Sequence, residues 1–296
     1  MRNTLDIAIK KAETGKTDGG YELNTNNIYT AYMTKKEWKA FESGMKSERS
    51  DAYKRFGAGS GGEMKEGKNH PPKMASYGSS SRMIYNLFRK DKNFFFEYKL
   101  HTRIGGTANL DGFKETEERY IFVEAKCHEF YGKSGGVIKS NYKSLYEYIN
   151  EKGGCNLQID IKEAGDKMDV DFFVTKEDEK YEVTRFDIKQ MICHLLGIAM
   201  HFLKTPATKR ILFVYLCFNP GRIFLESVKK SDILGAYDRM CVECNSISFK
   251  RLFEIIVEYL AENFRDEVCV SRADINRMIS GFEFVLCDQA DCFDFI

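Results

Sequence analysis

Two short stretches of the chain carry residue types that could act together on a phosphate ester. Asp111-Gly112 comes first, and Glu124-Ala125-Lys126 follows at the end of the apolar run Tyr120-Ile121-Phe122-Val123. Paired carboxylates could hold a hard cation such as Mg²⁺, which polarises a phosphate oxygen and lowers the pKa of a bound water. A lysine beside them could orient that water or offset the negative charge that develops on the phosphorus oxygens. These groups are the minimum machinery for hydrolysing a phosphodiester.

The strand that contains Glu124 predicts which way these groups face. Side chains alternate between the two faces of a strand, so Glu124 and Lys126 share one face. A two-residue turn before this strand would place Asp111 directly opposite Glu124, and a four-residue turn would place it opposite Phe122. Either register puts Asp111 on the same face as Glu124 and Lys126. Only a three-residue turn would direct it away.

This spacing resembles that of the PD-(D/E)XK nuclease superfamily, which includes type II restriction endonucleases and many repair and recombination nucleases. The likeness covers roughly residues 76–220. By this resemblance Asp111, Glu124 and the carbonyl of Ala125 would hold Mg²⁺, for which Mn²⁺ could substitute, and Lys126 would be the catalytic lysine. Leu110 stands where the name of the family has a proline. The resemblance implies a metal-dependent DNA endonuclease, in which Asp111 and Glu124 count as catalytic residues.

Residues 187–204 are predicted to form a long apolar helix with one narrow polar ridge. At about 100° per residue, Gln190, His194 and His201 fall close together on the helix surface. Such a ridge must face something polar, either the site or a solvent edge; a histidine satisfied within the core is the alternative for His194. Gln190 to His194 resembles the Gln-x-x-x-Tyr pattern of one branch of the family, with His in place of Tyr. We therefore expect Gln190 to be catalytic and His194 to contact nucleic acid.

Three further residues are candidates on weaker grounds. Glu97, on the first predicted strand, could supply a third acidic side chain to the site. A bulge at Gly105-Gly106 would make its orientation undecidable, and an ion pair at the sheet edge is the equal alternative. Arg82 and Lys99 are expected to contact the DNA backbone, because phosphate contacts need only a positive charge and no particular sequence pattern.

The predicted elements indicate an α/β fold. Strands are predicted over residues 94–102, 107–113, 119–127, 180–184 and 210–218, and helices within 35–56 and over 80–88, 141–150, 187–204 and 249–264. This order of helix, three strands, helix and strand gives a mixed β-sheet flanked by helices, a restriction endonuclease-like core with N- and C-terminal additions. We expect an N-terminal accessory region at 1–75, the nuclease-like core at 76–224, and a C-terminal helical extension packed on the core at 225–296.

Composition narrows the classes of protein that the chain can be. With 43% hydrophobic and 30% charged residues it can fold around a core. The net charge of the chain is +1, but the charge is unevenly distributed. Residues 1–90 have a net charge of +7, and residues 251–296 have a net charge of −6. A basic front region could lie along a phosphate backbone or be an ordinary solvated surface. Nine cysteines without a framework-like spacing, and no apolar leader, favour reduced thiols and a cytoplasmic location.

The leading expectation is a Mg²⁺-dependent DNA endonuclease of restriction type, with DNA as its partner and no membrane segment. Cleaving both strands of a duplex would use two active sites, which makes a homodimer an expectation from the chemistry. The alternative is a catalytically silent nuclease-fold protein that binds DNA or a protein partner. Silent relatives usually lose one of the three key residues, and Asp111, Glu124 and Lys126 are all present. An enzyme of RNA or nucleotide metabolism on the same fold stays open.

Overall fold

A computed structural model describes most of the chain from residue 33 to the end. The described residues are 33–59, 62–67, 71–76, 78–127, 136–164, 167–176, 179–219 and 230–296. The helices are α1 Lys35–Glu48, α2 Ser50–Ala58, α3 Ser80–Phe88, α4 Lys143–Lys152, α5 Ile188–Lys204, α6 Lys230–Asn245, α7 Phe249–Asn263 and α8 Arg272–Ser280. The strands are β1 Phe94–His101, β2 Thr107–Glu115, β3 Arg119–Lys126, β4 Gly136–Lys139, β5 Leu157–Ala164, β6 Lys167–Lys176, β7 Glu179–Glu182, β8 Arg210–Cys217 and β9 Phe282–Asp288.

Side-chain caps fix the first turns of the helices on both faces of the sheet. Ser79 accepts a hydrogen bond from the backbone N–H of Arg82 at the start of α3. Asp187 does the same for Gln190 at the start of α5, over 3.0 Å. Such caps satisfy backbone donors that have no partner within the helix. The cap at Asp187 therefore sets the position of the turn that carries Gln190.

The main sheet has five strands in the order β1-β2-β3-β8-β9. β1, β2 and β3 form an antiparallel meander, β8 runs parallel to β3, and β9 runs parallel to β8. Gly112 pairs with Val123 and Phe113 with Phe122, which is the register of a two-residue turn at Glu117-Glu118. The prediction of three consecutive strands and a later helix and strand in one mixed sheet is confirmed, and the structure adds that the later strand is parallel to β3.

Helices cover the two faces of this sheet and enclose separate apolar cores. One core includes α5 and α7 packed on residues such as Leu100, Leu110 and Phe122. The other includes α1, α2 and α3 packed on residues such as Phe96 and Val123. Burial of these side chains is the main stabilising contribution to such a layered arrangement. The described part of the region 1–75 is thus a layer of the same fold and covers the second face of the sheet.

Two glycines let backbones approach closely enough to hold the site together. A Cβ at Gly112 would lie 2.1 Å from Cζ of Phe94, so the ring of Phe94 occupies that space. A Cβ at Gly197 in α5 would lie 2.8 Å from Cβ of Ala108 and 2.9 Å from Cβ of Leu100. Any larger residue at Gly197 would push α5 away from β1 and β2.

A second, smaller antiparallel sheet lies between the meander and α5 in the chain. Its order is β4-β6-β5, and β7 also pairs with β6. We predicted only one short strand in this region, near residues 180–184. β5 and β6 were missed although their apolar residues alternate with polar ones such as Asp160, Lys162 and Asp171, which is the pattern of a half-buried strand.

The C-terminal region differs from the purely helical extension that we expected. It contains α7 and α8, but β9 follows them and completes the main sheet beside β8. β9 is an edge strand with mostly half-buried side chains, which explains its weak apolar pattern. Within the described residues, no helix is both long and apolar enough to span a membrane.

Candidate active site

Asp111 in the middle of β2 and Glu124 near the end of β3 lie close together, where the pairing of the two strands ends. The β2–β3 ladder runs to the pair Gly112 and Val123, and continuing its register sets Asp111 opposite Glu124. Beyond that pair, Oδ2 of Asp111 accepts the backbone N–H of Ala125 over 2.7 Å. The carboxylate thus takes the place of a backbone acceptor where the two strands separate.

A local irregularity in β1 and β2 accompanies this arrangement. Leu110 and Phe113 both pack toward the α5 core, whereas Gly112 faces Phe94 in the other core. The alternation of side chains along β2 is therefore shifted at Asp111. Opposite this point, Glu97 adopts a left-handed backbone with φ of 52°. A glutamate in that region stores strain, and such strain is concentrated at functional sites.

Lys126 joins β3 to α5 through two contacts. Its Nζ donates to Oε1 of Glu124 over 2.7 Å and to Oε1 of Gln190 over 2.5 Å. Glu124 is 1% exposed and Lys126 is 8% exposed, so the pair lies almost entirely within the protein. A buried pair of this kind is costly to form and is weak evidence for a purely stabilising role. The structure brings Gln190 to the site, as expected for a residue with a part in the chemistry.

His194, one turn further along α5, contacts the other oxygen of Glu124. Nε2 of the ring lies 2.9 Å from Oε2 of the carboxylate. The contact does not meet the geometry of a well-aligned hydrogen bond. With 1% exposure, His194 lies behind the carboxylates and cannot reach a nucleic acid, which corrects the role expected from the helix pattern.

The two carboxylates have opposite pKa shifts. Burial, and then the negative charge of Glu124, raise the pKa of Asp111 well above its ordinary value. Burial alone would also raise the pKa of Glu124, but the neighbouring Lys126 and His194 outweigh it and lower that pKa to about 2. The surroundings therefore favour the ionised form of Glu124 and the protonated form of Asp111, and added positive charge would favour ionisation of Asp111.

Glu97 lies near this pair but is directed toward the N-terminal layer. Its carboxylate packs at the end of α2, with Oε2 3.1 Å from the position that a Cβ at Gly59 would take. Burial, then the charge of Glu63, raise the pKa of Glu97 to about 7, with a smaller contribution from Glu124. Glu63 was missed by sequence reasoning, because it lies in a polar loop with no pattern that links it to the strands.

The donor set suits a hard cation better than a soft one. Among the residues that the structure describes, no group of three or more His, Cys, Asp and Glu side chains is arranged as a metal centre. Mg²⁺ commonly uses only one or two carboxylates and keeps several waters. Asp111 and Glu124 supply those two carboxylates, and burial, followed by the charge of Glu124, raises the pKa of Asp111 and so disfavours an ionised form that a cation would stabilise. Nζ of Lys126 donates a hydrogen bond to Oε1 of Glu124. A cation that binds Oε1 would therefore compete with Lys126.

The two expected phosphate contacts differ in accessibility. Lys99 is exposed on β1, next to the edge of the site. Arg82 is only 6% exposed; its guanidinium lies over the ring of Phe41, with the centroid 5.5 Å away. Arg82 therefore holds α3 in place and is not on a surface that DNA could touch. Of these two residues, only Lys99 is exposed, as a contact with the DNA backbone would require.

Comparisons with known proteins add nothing to this geometry: no family model, curated protein or solved structure matched the chain.

Proposed function

We propose that the protein is a Mg²⁺-dependent nuclease that hydrolyses the phosphodiester bonds of DNA. The observation that carries this proposal is the meeting of Asp111, Glu124 and Lys126 where the pairing of β2 and β3 ends. Gln190 from α5 contacts the lysine at the same point. Two carboxylates and a lysine are the groups that phosphodiester hydrolysis calls for. The order of the elements around them also matches the resemblance to the PD-(D/E)XK superfamily.

Each of these residues has a separate task in the proposed reaction. Asp111 and Glu124 would hold Mg²⁺, which polarises a phosphate oxygen and lowers the pKa of a water. Lys126 presents an ammonium group whose direction is set by Gln190, and it would stabilise the charge on the phosphorus oxygens. Gln190 itself is held by the cap at Asp187.

DNA is the proposed substrate because the resemblance points to DNA-cleaving relatives. The basic charge of residues 1–90 fits a polyanionic partner, and exposed Lys99 lies beside the site. A second candidate, a catalytically silent protein that binds DNA or a protein partner, would keep the fold but have no need for a buried lysine between Glu124 and Gln190. The intact constellation therefore favours the enzyme.

Plasmid cleavage tests the proposal directly. Purified protein is incubated with supercoiled plasmid and with single-stranded circular DNA, with Mg²⁺, with Mn²⁺ and with EDTA. We expect metal-dependent nicking or linearisation that Lys126→Ala abolishes. Lys162→Ala is the matched control, because Lys162 pairs with Asp171 on the exposed face of the small sheet. If neither substrate is cut while the protein still binds DNA, the silent binder replaces the nuclease as the conclusion.

A further inference from the structure

His194 is a buried polar residue of α5 whose immediate neighbours along the helix are apolar. It is 1% exposed and lies edge-on to the ring of Phe213, with ring centroids 6.0 Å apart. Its neighbours along the helix, Leu195, Leu196 and Ile198, are fully buried. A leucine or phenylalanine at this position would pack in the same surroundings without a polar group to satisfy.

The hydrogen-bonding groups of His194 are not used for an ordinary structural purpose. Neither ring nitrogen has an aligned hydrogen bond to any residue that the structure describes. A buried polar group left in this state is destabilising and calls for an explanation. The contact that accounts for the ring is the one at 2.9 Å to Oε2 of Glu124, on the side of the carboxylate away from Lys126.

We propose that His194 is a positioning residue that holds Oε2 of Glu124 against α5, so that Oε1, which accepts from Nζ of Lys126, is the oxygen that would bind the cation. This inference rests on the proposed function, because it assigns a role toward the cation of that same site. A carboxylate can bind a cation through one oxygen or through both. With Oε2 fixed by His194, Glu124 acts as a one-oxygen ligand whose orientation is set before the cation arrives.

The packing of α5 fixes where His194 can stand. Gly197 lies one turn after it, and the absent side chain lets the helix contact Ala108 and Leu100 directly. Helix positions three apart lie on nearly the same face, so this close contact anchors the surface that carries His194. The ring therefore reaches Glu124 from a rigid support, as residues that orient metal ligands generally do.

Binding of Mn²⁺ measured by titration calorimetry, and by the loss of the free-ion EPR signal, tests the role without relying on catalysis. The variants are His194→Leu, which removes the contact, and His194→Gln, whose amide nitrogen can take the position of Nε2. Removal of a residue that orients a ligand typically weakens metal binding by about 10- to 100-fold. We expect that loss for His194→Leu and recovery of most of the affinity in His194→Gln. His201→Leu is the control, because His201 is exposed on the same helix.

The possible results separate this inference from the proposed function. If wild type binds Mn²⁺ and His194→Leu binds it equally well, the positioning role is wrong and the nuclease proposal stands. Equal losses of Mn²⁺ affinity in His194→Leu and His194→Gln would also refute the positioning role. A histidine with a merely structural role would be replaced successfully by neither residue. If His194→Leu does not fold, His194→Asn replaces it in the comparison. The inference then requires His194→Gln, whose side chain is longer, to bind Mn²⁺ more tightly than His194→Asn. If wild type binds no Mn²⁺, both proposals fail together.

Discussion

Glu97→Gln should make the protein more stable at alkaline pH, although it changes a residue with a strained backbone in the middle of β1. The substitution keeps the size of the side chain and the left-handed backbone of this position. It removes only the ability to ionise. The reason for the gain is that the pKa of Glu97 is raised from 4.5 to about 7, first by burial and then by the charge of Glu63.

The size of the effect follows from that pKa. A pKa difference of one unit between the folded and unfolded states corresponds to about 1.4 kcal/mol. A rise from 4.5 to about 7 therefore amounts to about 3 kcal/mol as an upper limit, since Glu97 is partly exposed. Because the folded pKa of this acid is the higher one, its favourable contribution is complete below pH 4.5. That contribution declines as the pH rises and is lost above about pH 7.

Urea denaturation followed by circular dichroism, without divalent cations, measures this difference. Wild type and Glu97→Gln should differ by up to about 3 kcal/mol more at about pH 8 than at about pH 4. Glu117→Gln, in the exposed turn between β2 and β3, should show no such change with pH. A Glu97→Gln difference that is the same at both pH values would refute the assigned environment of Glu97.

Three further predictions concern the cation and the packing of α5. Affinity for Mn²⁺ should rise by up to about tenfold per pH unit in calorimetry, because the raised pKa of Asp111 means that binding must release its proton; a flat profile would contradict this. Lys126→Met should bind Mn²⁺ severalfold more tightly in the same assay while losing cleavage, since it frees Oε1 of Glu124; weaker binding would show that Lys126 does not compete with the cation. Gly197→Ala should lower the free energy of unfolding by about 1–2 kcal/mol, as steric crowding exceeds the gain in helix propensity. Gly235→Ala, with nothing within 4 Å of its Cβ, should instead stabilise by up to about 1 kcal/mol, and equal effects would refute the packing argument.

The sequence predicted the elements that carry long runs of buried apolar residues. The meander, α5 and β8 were recognised because their apolar residues are continuous or regularly spaced. The position of Asp111 followed from the length of one turn, since register is fixed by turn length and by the buried face. β5 and β6 were missed although apolar and polar residues alternate along them as in a half-buried strand, and β9 was missed because most of its side chains are only half-buried.

The site was predictable where it follows strand alternation and less so where it depends on contacts between distant elements. Glu124 and Lys126 share a face because they are two residues apart, and Gln190 was identified by its place on a polar ridge. The same ridge could not show that His194 would be buried against Glu124, because burial depends on how α5 packs on the sheet. Arg82 likewise could be placed only once the helices before the sheet were seen around it.

The most direct measurement of the central claim is an anomalous difference map from a crystal soaked in Mn²⁺. The proposed function requires one strong peak within bonding distance of carboxylate oxygens from both Asp111 and Glu124, with Nζ of Lys126 moved away from Oε1. No peak at these residues when Mn²⁺ is in large excess, with Lys126 still bound to Glu124, would contradict the claim that these carboxylates share a divalent cation.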